Sequence, residues 1–205
     1  MLSFRYVGDS GEDETINQMM VIQNASAGSL VPVLSFSALD KKRRVLPDVK
    51  VSTVYGSDRG NLVVPQGQYF DVLRFSGSGV PDVADVRVTV KSVALTRLSS
   101  GQGDLSVTTQ ALDADGAEIS RFERFSKVEI TNDNDFPVFV RVVYILWDQP
   151  DEGETQQAVE VTPVGGLTEV PASGTAVLDV TGKAKAAVER HSGGPAVSIK
   201  AYYSQ

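Results

Sequence analysis

Apolar and polar residues alternate in short runs along most of this chain. Leu2–Val7, Leu30–Leu39, Val49–Tyr55 and Val138–Trp147 are such runs, and turns rich in glycine, asparagine and aspartate separate them. A period of two places successive side chains on opposite faces of an extended segment, so these runs predict β-strands. Valine is common and helix-forming runs are scarce, which favours strands further. We therefore expect an all-β protein.

Two strands of the second half are less regular. We expect residues 118–132 to form one strand with a bulge, with Phe122 and Phe125 on its buried side. We expect a further strand over Ala158–Thr162, followed by Gly165-Gly166.

The same order of apolar runs and polar turns occurs twice along the chain. Residues 20–40 and residues 128–148 each read as a strand, a polar turn and a strongly apolar strand. Asn24 aligns with Asn132 at a separation of 132 − 24 = 108, and the two ends of these stretches keep the same separation. We interpret this as an internal duplication.

Later positions continue the alignment at a slightly smaller separation. Val64-Pro65 matches Val170-Pro171 at 106, and Leu73–Gly77 matches Leu178–Gly182 at 105. Three deleted residues explain this drift, because deletions are tolerated in surface loops. Each copy holds about seven short strands with frequent turns, which predicts an antiparallel two-sheet sandwich. We expect a first domain over residues 1–98, a linker at residues 99–104 and a second domain over residues 105–205.

The aligned segments carry a fold-level resemblance. Val21–Asn24 with Glu129–Asn132, and the paired Val-Pro positions, make the chain resemble tandem immunoglobulin-like or fibronectin-type-III-like domains of bacterial structural, adhesion and surface proteins. The resemblance implies two β-sandwiches and a role in structure or adhesion. The chain departs from antibody domains because it has no cysteine pair, and Trp147 ends its strand instead of standing in the middle.

Composition removes several classes of function. The chain has 205 residues, no cysteine and a net charge of −7. The absence of cysteine excludes disulfides and thiolate metal sites, and the negative charge disfavours a general nucleic-acid binder, which needs a basic surface. No apolar run approaches the roughly 18 residues of a membrane span. The N-terminal segment shows no basic-then-apolar leader pattern. We therefore expect either the cytoplasm or a leader removed before the numbering begins, and Met1 favours the first.

Paired aspartates in two predicted turns are candidate calcium ligands. The pairs are Asp113 with Asp115 and Asp133 with Asp135. Calcium takes six to eight oxygen ligands, which such turns can supply. The run Asn132–Pro137 also resembles the calcium-binding signature of cadherins, although its proline is one position late and Ile130 stands where an aspartate is expected. The alternative is a polar hairpin turn, because Asn and Asp cap turns by local hydrogen bonds.

The residues give little material for catalysis. His191 is the only histidine, and we expect it in a solvated loop over residues 189–194. No Gly-x-Ser-x-Gly nucleophile elbow is present, and the glycine-rich turns lack the lysine of a phosphate loop. We therefore predict that the protein is not an enzyme and needs no cofactor, with calcium as the one open alternative.

Charge differs between corresponding turns of the two copies. The first carries the basic run Lys41, Lys42, Arg43 and Arg44, and the second carries the acidic residues Asp151, Glu152 and Glu154. Residues 1–103 hold 11 basic and 10 acidic side chains, net +1, whereas residues 104–205 hold 8 and 16, net −8. Matching loops of opposite sign steer head-to-tail contacts between molecules. The alternative is that the basic run is simply a solvated loop.

These observations favour a non-enzymatic structural or interaction protein that self-assembles or docks into a larger assembly, with another protein or a second copy as its partner. The alternative is a ligand-binding module of carbohydrate or adhesion type, with or without calcium. Exposed aromatic rings would favour that alternative, and the candidates are Tyr55, Tyr69, Tyr202 and Tyr203.

Overall fold

The computed structural model describes residues 1–8, 17–96, 107–147, 149, 158–193 and 196–204. The chain divides into two compact units, one of Met1–Gly101 with Pro150–Val159 and the other of Gln102–Gln149 with Glu160–Gln205. Both predicted domain boundaries and the predicted linker lie outside the described residues, so they stay predictions. In the described part of the chain, no helix has the length and apolar character needed to cross a membrane.

The first unit is built from two antiparallel sheets. Its strands are β1 (Leu2–Val7), β2 (Asn17–Asn24), β3 (Leu30–Leu39), β4 (Lys50–Thr53), β5 (Gly67–Ser76) and β6 (Asp85–Leu95). One sheet has the order β1-β2-β5-β4, and the other is the pair β3-β6. A single 3-10 turn, Val80–Asp82, precedes β6. Ile22, Leu34 and Leu73 are fully buried, as expected for strands that turn their apolar side inward.

The second unit is also built from two antiparallel sheets, and it includes a helix. Its elements are β7 (Val107–Leu112), β8 (Glu118–Ile119), β9 (Lys127–Asn132), β10 (Val138–Trp147), most of β11 (Ala158–Val170), β12 (Gly174–Asp179), α1 (Gly182–His191) and β13 (Val197–Tyr203). The sheets have the orders β8-β7-β9-β12 and β11-β10-β13. β10 is apolar on both faces and mostly buried, and α1 packs against it.

The two units share a strand register. The corresponding cross-strand triplets are Leu2–Asn24–Gly67 in β1-β2-β5 and Val107–Asn132–Gly174 in β7-β9-β12. In this register Asp71 lies opposite Met20 and Leu178 lies opposite Val128. The separation between β5 and β12 is therefore 178 − 71 = 107. The predicted separation of 105 at this strand was wrong, because it aligned Leu178 with Leu73.

A buried asparagine ends the second strand of the first sheet. The side chain of Asn24 is fully buried. Its amide Nδ2 donates hydrogen bonds to the carbonyl oxygens of Gly28 (2.8 Å) and Val64 (2.9 Å), and its Oδ1 accepts one from the N–H of Ser26 (2.9 Å). One side chain thus closes a turn and joins it to a distant segment.

Asn132 makes the corresponding bonds in the second unit. It is also fully buried, and its Nδ2 donates to the carbonyl oxygens of Phe136 (2.9 Å), Val170 (3.3 Å) and Pro171 (2.9 Å). Its Oδ1 accepts a hydrogen bond from the N–H of Asn134 (3.0 Å). The predicted pair of polar turns therefore exists, and each is organised by the asparagine that precedes it.

Three segments differ from the sequence-based expectation. Residues 118–132, expected as one bulged strand, form the two-residue β8, a turn and β9. β11 runs on through Gly165 and Gly166, where a turn was expected. Helix α1 was not predicted, and it buries Ala184, Ala187 and Val188 on one side.

Candidate functional site

A polar groove lies on the second unit between the edges of its two sheets. It has a volume of about 660 Å³. Its lining residues are Val107, Thr108, Thr109, Gln110, Ala111, Ile119, Ser120, Arg121, Phe122, Ile199, Lys200 and Ala201. These residues come from β7, from β8 with the turn after it, and from β13. The sequence did not predict this groove, because it depends on which strands form the sheet edges.

The groove follows an open strand edge. β9 pairs with β7 along its whole length, but β8 pairs only with Ala111 and Leu112. Val107–Gln110 therefore has no strand beside it on the β8 side within the described residues. β13 is likewise the edge strand of its own sheet. Backbone groups along such edges are the usual point of attachment for an added strand.

Three side-chain hydrogen bonds fix the walls of the groove. The hydroxyl of Thr109 donates to the carbonyl oxygen of Ile199 (2.9 Å), which joins β7 to β13 across its base. The side-chain amide of Gln110 donates to the carbonyl oxygens of Ala111 (3.1 Å) and Ile119 (2.9 Å). Gln110 therefore closes the groove at the end where β8 begins.

The outer wall is a turn held by the end of α1. The N–H of Gly193 donates to the carbonyl oxygen of Phe122 (2.7 Å), and Nε of Arg124 donates to the hydroxyl of Ser192 (3.3 Å). Phe122 is 38% exposed, although its position in the pattern predicted burial. Phe125, from the same prediction, is buried against Tyr144 at a ring distance of 5.8 Å.

The charges on the groove are basic. The guanidinium of Arg121 lies 4.8 Å from the centre of the Phe122 ring, and Nζ of Lys200 lies 5.7 Å from the centre of the Trp147 ring. Burial lowers the pKa of Lys200, which indicates that its ammonium group is partly removed from water. None of the lining residues is acidic, although the half of the chain that contains them is strongly acidic.

The first predicted calcium pair forms a capped hairpin turn. Oδ1 of Asp113 accepts hydrogen bonds from the N–H groups of Asp115 (2.9 Å) and Ala117 (2.8 Å), between β7 and β8. Nζ of Lys127 donates to the carbonyl oxygen of Ala114 in the same turn (2.8 Å). An ammonium group therefore already binds one carbonyl oxygen of this turn.

The second pair lies at the opposite end of the same strands. Asp133 and Asp135 are exposed and follow Asn132, which pairs with Val107, whereas Asp113 follows Leu112. The two pairs are thus separated by the length of β7, roughly 20 Å at about 3.3 Å per residue. Among the described residues, no group of three acidic or histidine side chains is placed to hold a metal ion. The structure does not bring the four aspartates together.

The basic run forms a rigid, exposed turn. Oδ1 of Asp40 accepts hydrogen bonds from the N–H groups of Lys42 (2.8 Å) and Arg44 (2.9 Å), and its Oδ2 pairs with the Arg44 guanidinium at 2.7 Å. The backbone and side-chain bonds from Arg44 lower the pKa of Asp40. Lys41, Lys42 and Arg43 project from this turn into solvent. Their predicted acidic counterparts, Asp151, Glu152 and Glu154, lie outside the described residues.

This turn lies beside the start of β6, an edge strand that is largely exposed. Arg43 contacts Asp85 at the start of β6 (3.7 Å). From Thr89 to Leu95 every residue is exposed, including Val90 at 43%, Val93 at 45% and Leu95 at 81%. In β13, the corresponding strand of the second unit, Tyr202 and Tyr203 are buried. We call β6 together with the turn Asp40–Arg44 the basic edge.

The basic edge combines positive charge, apolar side chains and one irregularity. It carries the basic residues Lys41, Lys42, Arg43, Arg44, Arg87 and Lys91 and the acidic residues Asp40 and Asp85. Both acidic residues are already paired with arginines of the same surface. Val33 pairs with Ser92 and Leu34 with Val90, so Lys91 is the extra residue of a β-bulge.

His191 does not lie in a solvated loop, as expected from the sequence. It ends α1, where its Nε2 lies 3.2 Å from Oε2 of Glu160 and its side chain is 21% exposed. Arg190 contacts the same carboxylate oxygen at 3.4 Å, and the hydroxyl of Thr162 donates to Oε1 (3.2 Å). Burial, together with the nearby Glu160, raises the pKa of Tyr144 to about 12. This cluster attaches the end of α1 to β11.

A fully buried carboxylate in the first unit was also not predicted. Oδ1 of Asp71 accepts hydrogen bonds from the N–H groups of Tyr55 and Val72 (both 2.8 Å), and Oδ2 accepts one from the N–H of Ser57 (2.9 Å). Burial raises the pKa of Asp71, and these hydrogen bonds oppose that effect. The carboxylate fixes the irregular loop after β4 against the sheet.

The tyrosines proposed as sugar-stacking residues are mostly internal. Tyr55 is 2% exposed, and Tyr202 and Tyr203 are each 6% exposed. Only Tyr69 reaches an intermediate exposure. These four residues therefore do not form an exposed aromatic platform.

Comparison of the chain with protein-family models, with curated proteins and with solved structures found no match.

Proposed function

We propose that this chain is a non-enzymatic structural or interaction protein, built from two tandem β-sandwich units that arose by internal duplication, and that it self-assembles through the basic edge. The immunoglobulin-like resemblance belongs to this proposal. Its partner would be a second copy of the chain.

The duplication is supported by the paired asparagines. Asn24 and Asn132 occupy the same register position, and both donate to the carbonyl four residues later and to a segment near the Val-Pro dipeptide. A shared hydrogen-bond pattern at a near-constant separation supports common descent more strongly than shared apolar residues, which any two sandwiches have.

The observation that carries the assembly proposal is the exposure of β6. Seven consecutive residues of an open edge strand are exposed, and three of them are large apolar residues. Sheet edges of this kind pair with strands of other chains unless they are covered. The counterpart β13 ends in two buried tyrosines, so this exposure is a property of the first unit and not of the fold.

The charge distribution favours a second copy of the chain as the partner that binds the basic edge. The basic edge carries six basic and two acidic residues, whereas residues 104–205 carry a net charge of −8. The first unit of one molecule and the second unit of another are therefore complementary. Such a head-to-tail contact extends by repetition.

The test is the mass of the particle at increasing protein concentration, measured by light scattering at low and high salt. We expect concentration-dependent assembly at low salt that weakens at high salt, because salt screens exposed charges. The double variant Val90→Glu/Val93→Glu and the charge reversal of Lys41–Arg44 should each reduce assembly.

The matched control is Ser3→Glu/Gln66→Glu, which adds the same charge at exposed positions of the first unit outside the basic edge. It should assemble like the wild type. A wild-type protein that stays monomeric at low salt, or equal effects of the two double variants, would rule out the basic edge as the assembly surface.

The groove supports a second candidate, a ligand-binding module of carbohydrate or adhesion type. A concave polar surface with an exposed aromatic residue is the usual form of such sites. If calcium takes part, the melting temperature should rise with calcium concentration, because a ligand that binds only the folded state stabilises it. An unchanged melting temperature would remove calcium from this candidate.

A further inference from the structure

The groove on the second unit has the dimensions of a short extended peptide. Its floor is the unpaired edge of Val107–Gln110, which spans about 13 Å at about 3.3 Å per residue. The edge of β13 forms the facing side, joined to β7 by the hydrogen bond from Thr109 to Ile199. A peptide entering here meets main-chain groups along one strand, and Gln110 blocks it at the far end.

The charged side chains that line the groove favour a ligand with negative charge. Among the described lining residues, Arg121 and Lys200 are the charged ones, and both are basic. Each lies beside an aromatic ring, at 4.8 Å and 5.7 Å. Arg121 is exposed, whereas the ammonium group of Lys200 is partly removed from water. A carboxylate paired with a partly dehydrated cation is held more strongly than one paired in open solvent.

The same features disfavour other ligands. A nucleic acid would meet the net charge of −8 carried by residues 104–205. A sugar would have to stack on the one face of Phe122 that the guanidinium of Arg121 leaves open, and no second aromatic ring is found among the described lining residues. An extended peptide needs only the strand edge and the two cations.

We propose that this groove binds an extended peptide segment bearing carboxylate side chains, which adds as a strand beside β7 and pairs its carboxylates with Arg121 and Lys200. This is strand addition, in which the main chain supplies affinity and the side chains supply specificity. The site is in the second unit and does not depend on assembly through the basic edge.

The experiment uses the full chain and a fluorescent six-residue peptide of alternating glutamate and valine. Anisotropy reports binding, and Trp147 fluorescence reports it independently because Lys200 lies against that ring. We expect saturable binding that weakens with salt. Replacing glutamate by lysine in the peptide should abolish it, and methylating the peptide nitrogens should weaken it about tenfold or more, because methylation removes the main-chain donors.

The variant Arg121→Glu/Lys200→Glu should no longer bind the glutamate peptide and should instead bind the lysine peptide. Lys183→Glu/Lys185→Glu on exposed positions of α1 makes the same change in charge outside the groove and should bind like the wild type. The basic-edge variant Val90→Glu/Val93→Glu should also bind normally, so failure of assembly and failure of this site are separable.

The proposal is overturned if the wild type shows no saturable binding. Equal affinity for the methylated peptide would also overturn it, because strand pairing would then play no part. If the α1 variant lost peptide binding to the same extent, binding would depend on the net charge of the unit and not on the groove, and the proposal would be wrong.

Discussion

Asn24 and Asn132 make the same side-chain hydrogen bonds at the same register position of the two units. Each replaces several backbone hydrogen bonds that a tight turn between two sheets cannot make for itself. Removal of the amide leaves buried carbonyl groups without donors, which is more costly than the loss of a solvated bond.

We therefore expect Asn24→Ala and Asn132→Ala each to lower the free energy of unfolding by about 2–4 kcal/mol. Urea unfolding followed by Trp147 fluorescence reports the second unit, and far-ultraviolet circular dichroism reports both. Asp135→Ala, at an exposed position of the same turn as Asn132, is the control and should change little. A loss below about 0.5 kcal/mol for Asn132→Ala would contradict the assigned role.

The position held by Asp71 in the first unit is held by Leu178 in the second. Leu178 packs closely beside Gly165, where an added Cβ would lie 3.3 Å from its side chain. Asp71 instead accepts hydrogen bonds from three backbone N–H groups. The same place in the sheet is thus filled by packing in one unit and by hydrogen bonds in the other.

The buried carboxylate predicts a specific dependence of stability on pH. Because burial raises the pKa of Asp71 above 3.8, the folded state holds its proton more tightly than the unfolded state. Its contribution to stability is full below pH 3.8 and is lost as the pH rises through the raised pKa.

The measurement is urea unfolding of the wild type and of Asp71→Asn over a range of pH. The stability of the wild type relative to the variant should fall as the pH rises from about 4 and then level off. A difference that grows with pH would show that the three N–H bonds outweigh burial and lower the pKa.

Gly77 permits a close approach that no other residue allows. Its φ angle is +119°, and an added Cβ would overlap the carbonyl oxygen of Asp48. Gly77→Ala should lower the free energy of unfolding by at least about 2 kcal/mol, since it adds backbone strain to a steric clash. Gly166→Ala, where an added Cβ meets nothing within 4 Å, is the control. Similar thermal unfolding of both variants would contradict this reading.

The turn of the basic edge should become accessible to protease when Asp40 is replaced. Asp40→Asn keeps the size of the side chain but weakens the pairing with Arg44 and the two N–H bonds. Trypsin should then cut after Lys41–Arg44 faster than in the wild type, as mass spectrometry of timed digests can show. Asp48→Asn, at an exposed position nearby, should leave the rate unchanged. Equal rates in both variants would mean that Asp40 does not order the turn.

Strand positions could be predicted from the sequence where apolar and polar residues alternate strongly. The bounds of β1, β3 and β10 agree with the prediction at every residue. The paired asparagines were also found, because their separation stayed constant while the surrounding residues changed. The mostly β character of the chain followed from the same pattern.

The remaining features depend on tertiary context. Helix α1 is short, and its buried residues Ala184, Ala187 and Val188 do show helical spacing, but they are small and stand among charged residues. Asp71 is a single acid in an ordinary strand, so no pattern marks it as buried. The groove and the basic edge arise because β8 is short and β6 is an edge strand. Neither fact can be read from a strand taken alone.

The bulge at Lys91 limits how far an incoming strand can extend along the first unit. A regular partner aligned with Asp85–Val90 loses register at the extra residue and must stop or bend before it reaches Ser92. An incoming strand can therefore form hydrogen bonds with two short stretches of β6, one on each side of Lys91. It cannot pair continuously with all eleven residues of the strand. A continuous cross-β fibre needs an unbroken ladder, so this edge favours small, reversible contacts over fibrillar growth.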